Sequence, residues 1–208
     1  MKEKKYSALD PIRTFYAVSE LLPLVFKESS GDKKKMEARL KEIKKLAIKI
    51  SEEKLIKYEL GNWHPRYDNY INSTWELQEI SLEDCGVWPG MGGLPYEFTQ
   101  GNVVETAKLI QNLLDDKNKL TYKTSKVLYI EELKDVAVLI AKYFPIIVLE
   151  DNVIRNNKFG DKKTPLHKKC KYDIDDGNHR AIAYALLGIK TIPALVGKRI
   201  YKSDLLYN

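Results

Sequence analysis

The sequence is poor in cysteine and contains no long apolar run. Its two cysteines, Cys85 and Cys170, are too few for the disulfide framework of a small secreted domain. No apolar stretch approaches the length needed to span a bilayer, and no secretory leader opens the chain. We therefore expect a cytoplasmic protein that has no membrane partner.

Two common ligand-binding patterns are also missing. Gly90, Gly92 and Gly93 lie close together, but their spacing matches neither a dinucleotide fingerprint nor a P-loop. His167 and Cys170 have the local spacing of a zinc-ligand pair, yet no second pair accompanies them. A structural zinc site is therefore not expected.

Lysine is abundant, and the 208-residue chain has a formal net charge of +6. Such a charge suits nucleic acid, nucleotides or other anions as partners, but it also suits a surface that only keeps the protein soluble. Much of the excess lies in a predicted helix that begins near Asp32. Its apolar stripe predicts packing against the rest of the protein, with a short coiled-coil seam as the alternative.

The chain divides into two regions that we expect to form one compact unit. Residues 1–61 predict a helical N-terminal region, and residues 62–208 predict an α/β core that carries an insertion. The insertion spans residues 62–101, which are rich in aromatic residues and turn formers and include all three tryptophans. It either covers a ligand or fills a small irregular core, and both interpretations stay open.

The last eighty residues alternate between strand and helix patterns. We expect strands at residues 127–130, 145–149, 172–174 and 192–196, and helices at residues 131–143 and 178–187. This order indicates an α/β core with a mixed sheet.

The stretch from Asp175 to Arg180 reads Asp-Asp-Gly-Asn-His-Arg and opens the second of these helices. A helix start offers unpaired N–H groups and the positive end of the helix dipole, so it favours anions. Gly177 would let the backbone approach a ligand, and His179 and Arg180 would contact its oxyanions. The plainer alternative is a turn followed by solvated side chains.

The motif and its flanking elements resemble the ParB/sulfiredoxin superfamily. The resemblance covers residues 127–196: a Pro-Ile strand from Pro145, Asp-Gly-x-His-Arg at the helix start, Leu187-Gly188 at its end, and Lys-Thr-Ile-Pro from Lys190. It implies phosphate binding at this helix start, with Gly177, Asn178, His179 and Arg180 contacting a nucleotide such as ATP or ADP. Sulfiredoxin-like members have a catalytic cysteine where this chain has Asn178, so redox chemistry is not expected.

Within that superfamily the chain is most similar to the free-serine-kinase-like branch. This resemblance implies a small-molecule phosphotransferase, with Glu131 or Glu132 as the base and Asp176 and His179 at the reacting phosphoryl group. Asp175 and Asp176 are candidate Mg²⁺ ligands. The basic residues 162–171 are either a solvated loop or a lid over the phosphates.

Two rivals to the kinase-like interpretation stay open. One is a nucleic-acid-binding or nuclease-related protein, which the basic charge favours. The other is an interaction module that kept the fold without the chemistry.

Overall fold

The computed structural model describes residues 6–23, 32–61, 66–87, 94–116, 120, 125–150 and 170–200. Within these ranges seven α-helices and a five-stranded sheet form a mixed α/β fold. The helices are α1 (Leu9–Tyr16), α2 (Lys33–Ile48), α3 (Glu52–Gly61), α4 (Arg66–Ile71), α5 (Val103–Asp115), α6 (Ser125–Tyr143) and α7 (Asn178–Leu186). The strands are β1 (Ser73–Ser81), β2 (Cys85–Gly86), β3 (Ile146–Glu150), β4 (Tyr172–Asp176) and β5 (Thr191–Arg199).

The sheet has the strand order β1-β5-β3-β4-β2. Strand β1 is antiparallel to β5, and β3 lies parallel to β5 on its other side. Strand β4 is antiparallel to β3 and parallel to the short β2. The start of β3 and the end of β4 therefore lie at the same edge of the sheet, where Ile147 is paired with Asp176.

Both faces of the sheet are covered by helices. On one face, Ile146, Val148 and Ile174 join a large core that includes the apolar sides of α2, α5, α6 and α7. On the other face, a smaller core contains Ile147, Leu149 and Leu195 together with residues of α1, α3 and α4. The central strands β3 and β4 are thus buried on both sides.

The lysine-rich helix predicted from Asp32 is α2, and its packing against the rest of the protein is confirmed. The side chain of Asp32 caps it by accepting hydrogen bonds from two backbone N–H groups. Its apolar stripe is buried in the larger core: Met36, Leu40, Ile43 and Ala47. No helix in the described ranges is long and apolar enough to cross a membrane.

The predicted strand at residues 127–130 is wrong, because these residues form the first part of α6. Val127, Ile130, Leu133, Ala137 and Ile140 are all buried, and they recur at helical spacing. A four-residue apolar run cannot by itself distinguish a strand from one side of a helix. The helix predicted at residues 131–143 is therefore the continuation of a longer one.

The loop-rich insertion expected at residues 62–101 is also wrong in part. Arg66–Ile71 forms α4 and Ser73–Ser81 forms the nine-residue strand β1. The ring of Trp75 is buried and meets the Tyr70 ring edge-on at 5.1 Å between centroids. These two aromatic residues fill a core, whereas Trp63 and Trp88 lie outside the described residues.

Candidate functional site

The motif that was singled out from the sequence lies where β4 passes into α7. The strands predicted around it, β3, β4 and β5, and the helix itself are confirmed, although β4 extends as far as Asp176. Gly177 follows with a left-handed φ of 97°, and Asn178 is the first residue of α7. A side chain at position 177 would place its Cβ 2.5 Å from Cγ2 of Ile146. Glycine is thus required by the turn and by packing against β3, whereas we had expected ligand approach to require it.

Arg180 is buried and held by its own protein. Its guanidinium donates from Nη1 to the backbone oxygen of Phe144 and from Nη2 to Oδ2 of Asp176, the latter at 2.7 Å. Only 5% of the side chain is exposed. In this arrangement Arg180 ties the start of α7 to the end of α6 and to β4, so its charge is already partly compensated.

Asp175 and Asp176 are held from opposite faces of the sheet. Asp175 accepts a hydrogen bond from the hydroxyl of Tyr70 on α4, and Asp176 accepts one from Arg180 on α7. The pairing of β3 with β4 is irregular here, since Ile147 lies opposite Asp176 but Val148 lies opposite Ile174. Such bulges occur near active sites, where they redirect side chains.

The divergence of these carboxylates does not fit one Mg²⁺ ion held jointly by Asp175 and Asp176. Throughout the described ranges, no group of three or more His, Cys, Asp or Glu side chains is arranged to hold a metal ion. Joint Mg²⁺ binding by these two carboxylates is therefore not part of the proposed site.

His179 is a neutral group in this setting. Burial, and next the nearby charge of Lys126, lower the pKa of His179 from 6.5 to about 4. Its Nε2 atom is buried and has no hydrogen-bond partner among the described residues. At neutral pH the imidazole is therefore uncharged. It can donate or accept a hydrogen bond with a ligand, but it adds no positive charge for an anion.

Lys126 and Tyr129 come to the motif from the first turns of α6. The ring of Tyr129 meets the ring of His179 edge-on, with 5.4 Å between centroids, and the ammonium of Lys126 lies 5.1 Å from the Tyr129 centroid. Burial raises the pKa of the Tyr129 hydroxyl. Both residues were missed because the predicted strand at residues 127–130 contained Tyr129 and left Lys126 just before it. The apolar residues from Val127 to Ile140 recur at helical spacing, and this pattern could have predicted a helix that carries Lys126 and Tyr129 toward the motif.

The first turn of α7 has no side-chain cap, because the capping position is Gly177. The backbone N–H groups of His179 and Arg180, in the first turn, are among those that a helix start leaves without an intrahelical partner. Lys126 lies nearby, so an anion there would meet a helix dipole and an ammonium group together.

Glu131 and Glu132 lie on α6, with Glu132 exposed. Among the described residues, no hydrogen bond or ion pair joins either carboxylate to the motif. Their role as a base stays a prediction.

The basic segment at residues 162–171 lies outside the described residues except for its end at Cys170 and Lys171. Glu150 and Tyr172, the strand residues on either side of it, are paired at the opposite end of β3 and β4 from Asp176. The lid interpretation therefore stays a prediction, and it requires the segment to reach back along the length of both strands.

Comparisons with known proteins add no further assignment. No family model matches the chain, and neither a curated protein nor a solved structure matches it. The ParB/sulfiredoxin resemblance remains a prediction that rests on the motif and on the order of β3, β4, α7 and β5, since residues 127–130 are helical.

Proposed function

We propose that the chain binds the phosphate groups of a nucleotide at the first turn of α7. The observation that carries the proposal is the uncapped start of α7 with Lys126 beside it. The N–H groups of His179 and Arg180 would donate to phosphate oxygens, and Lys126 would supply the positive charge. The buried, unpartnered Nε2 of His179 offers one more group to a ligand.

Phosphoryl transfer to a small molecule is the reaction that we propose for this site. Such transfer depends mainly on positioning and charge stabilisation, which a rigid helix start and a nearby lysine can provide. Glu131 or Glu132 would accept the proton of the acceptor hydroxyl. Arg180 would act as a positioning residue, because it fixes the first turn of α7 against Asp176 and Phe144.

A thermal-shift panel of ATP, ADP, CTP and GTP, each with and without Mg²⁺, tests binding. We expect at least one nucleotide to raise Tm by several degrees when it is present at about 100 times its Kd. No shift with any nucleotide, together with no binding by calorimetry, would reject the proposal. For transfer, Glu131→Gln and Glu132→Gln should be compared with the wild type, because loss of turnover with retained binding identifies the base.

A further inference from the structure

Helix α2 has a net positive charge almost as large as that of the whole chain. It contains seven cationic and two anionic side chains, which gives it a net charge of +5, and the whole chain has +6. Neither its charge nor its exposed surface contributes to the α7 site. Lys142, which borders this surface, is 16 residues from Lys126 on α6, or about 24 Å along the helix axis.

Five of the six lysines of α2 lie on one flank of the helix. At 3.6 residues per turn, they fall within about a third of the helix circumference, next to the buried stripe. All five are exposed: Lys33, Lys34, Lys41, Lys44 and Lys45. Lys142 adds a sixth ammonium from the end of α6, and we call these six residues the lysine flank.

The acidic residues of α2 leave most of this charge uncompensated. Glu37 lies on the lysine flank, but it binds the ammonium of Lys142 at 2.9 Å and the hydroxyl of Tyr143 at 2.7 Å. These hydrogen bonds lower the pKa of Glu37 to about 2, so it stays ionised. Glu42 is on the other flank and pairs with Arg39. Within the described ranges, no carboxylate pairs with Lys33, Lys34 or Lys45.

The position of the first lysines works against helix stability. Lys33, Lys34 and Lys35 occupy the first turn of α2, which contains no acidic residue. Cations at a helix start oppose the helix dipole, and close like charges repel each other. The Asp32 cap offsets part of this cost. A local arrangement that disfavours folding, and whose cost is only partly offset, indicates a functional role.

We propose that the lysine flank binds the phosphate backbone of a nucleic-acid duplex. The flank is straight and about 20 Å long, so its ammonium groups can meet several phosphates of a regular duplex at once. Single strands are usually held by exposed aromatic rings. Among the described residues, the one ring at this flank is that of Tyr143, which is half-buried and has its hydroxyl bound to Glu37. A membrane surface fits less well, because the apolar stripe of α2 is buried in the protein core.

The test compares two variants that lose the same charge. The first is the triple substitution Lys33→Gln, Lys34→Gln and Lys45→Gln on the lysine flank. The control is Lys108→Gln, Lys190→Gln and Lys198→Gln, which removes three exposed lysines from α5, the turn before β5, and β5 itself. Binding of the whole chain to a fluorescent 20-base-pair DNA duplex is measured from 50 to 200 mM salt.

We expect the flank variant to bind at least about tenfold more weakly at 50 mM salt, with a log–log salt slope shallower by about 2 to 3. The control should keep nearly the wild-type slope. The flank variant should also have a Tm equal to or above that of the wild type, which separates lost binding from lost folding.

Three results would overturn the proposal: no duplex binding by the wild type at 50 mM salt, equal losses in both variants, or tighter binding to single strands or anionic vesicles than to the duplex. None of them depends on whether α7 binds a nucleotide.

Discussion

Arg180 donates a hydrogen bond from Nη2 to Oδ2 of Asp176 across the turn at Gly177, so the first turn of α7 is fastened to the last residue of β4. The same guanidinium reaches the backbone oxygen of Phe144 just before β3. This arginine has the position of a ligand-binding residue in the motif, yet its contacts are those of a structural clamp. The phosphate site that we propose therefore depends on backbone N–H groups and Lys126 for its affinity.

Removing the clamp should destabilise the fold. Arg180→Ala leaves Asp176 without its partner in a largely buried setting, and we expect a loss of about 3 kcal/mol in the free energy of unfolding. Urea denaturation measures it. Arg39→Ala is the matched control, since that arginine pairs with Glu42 in the solvent and should cost less than about 1 kcal/mol. Similar losses in both variants would contradict the clamp.

Alanine substitutions at Gly177 and Gly188 separate the stability cost of backbone strain from the cost of a packing clash. Both have left-handed φ angles, 97° and 73°. A Cβ at position 177 meets Ile146, whereas a Cβ at position 188 has no heavy atom within 4 Å. We expect Gly188→Ala to cost about 1 kcal/mol from strain alone, and Gly177→Ala to cost about 2 kcal/mol more. Equal costs in urea denaturation would show that the contact with Ile146 is relieved without penalty.

The Tyr70 hydroxyl should contribute to stability through Asp175. Tyr70→Phe removes the donor from a buried carboxylate and should cost about 1 to 3 kcal/mol. Tyr184→Phe is the control, because its hydroxyl makes only a 3.5 Å contact with the backbone oxygen of Val138. Thermal or urea unfolding of the two variants measures the difference, and a Tyr70→Phe protein as stable as the control would argue against this pairing.

His179 should make stability depend on pH. Because the pKa of His179 is about 4 in the folded protein and 6.5 in the unfolded chain, the unfolded chain binds more protons between these pH values. Its contribution, at most about 3 kcal/mol, is complete above pH 6.5 and is lost as the pH falls toward 4. The profile of His179→Gln should be flatter over this range, and identical pH profiles would contradict the assignment.

Lys126 should influence His179 directly. The Lys126→Gln substitution removes a nearby positive charge, so the pKa of His179 should rise from about 4 toward 6.5. Lys134→Gln, two turns further along α6, is the control and should leave this pKa unchanged. NMR titration of the imidazole protons provides the measurement. No rise in the Lys126 variant would place that ammonium away from the motif and weaken the proposed phosphate site.

The sequence predicted the part of the fold that has strong local signals. β3 and α7 are bounded by Pro145, Gly177 and Gly188, and their patterns left little ambiguity. β1 was missed because its stability comes from nine pairs with β5, more than a hundred residues away. Half of the clamp was missed for the same kind of reason, since the backbone oxygen of Phe144 belongs to a residue 36 positions away. The other partner, Asp176, is only four residues from Arg180, so this pair was within reach of a local prediction.

Backbone amide NMR with ATP tests the central claim most directly. If phosphate binds at the start of α7, saturating ATP should shift the amide signals of His179 and Arg180, and Lys126→Gln should weaken the affinity while Lys134→Gln leaves it unchanged. ATP-induced shifts confined to other elements, or equal affinities in the two lysine variants, would contradict the account.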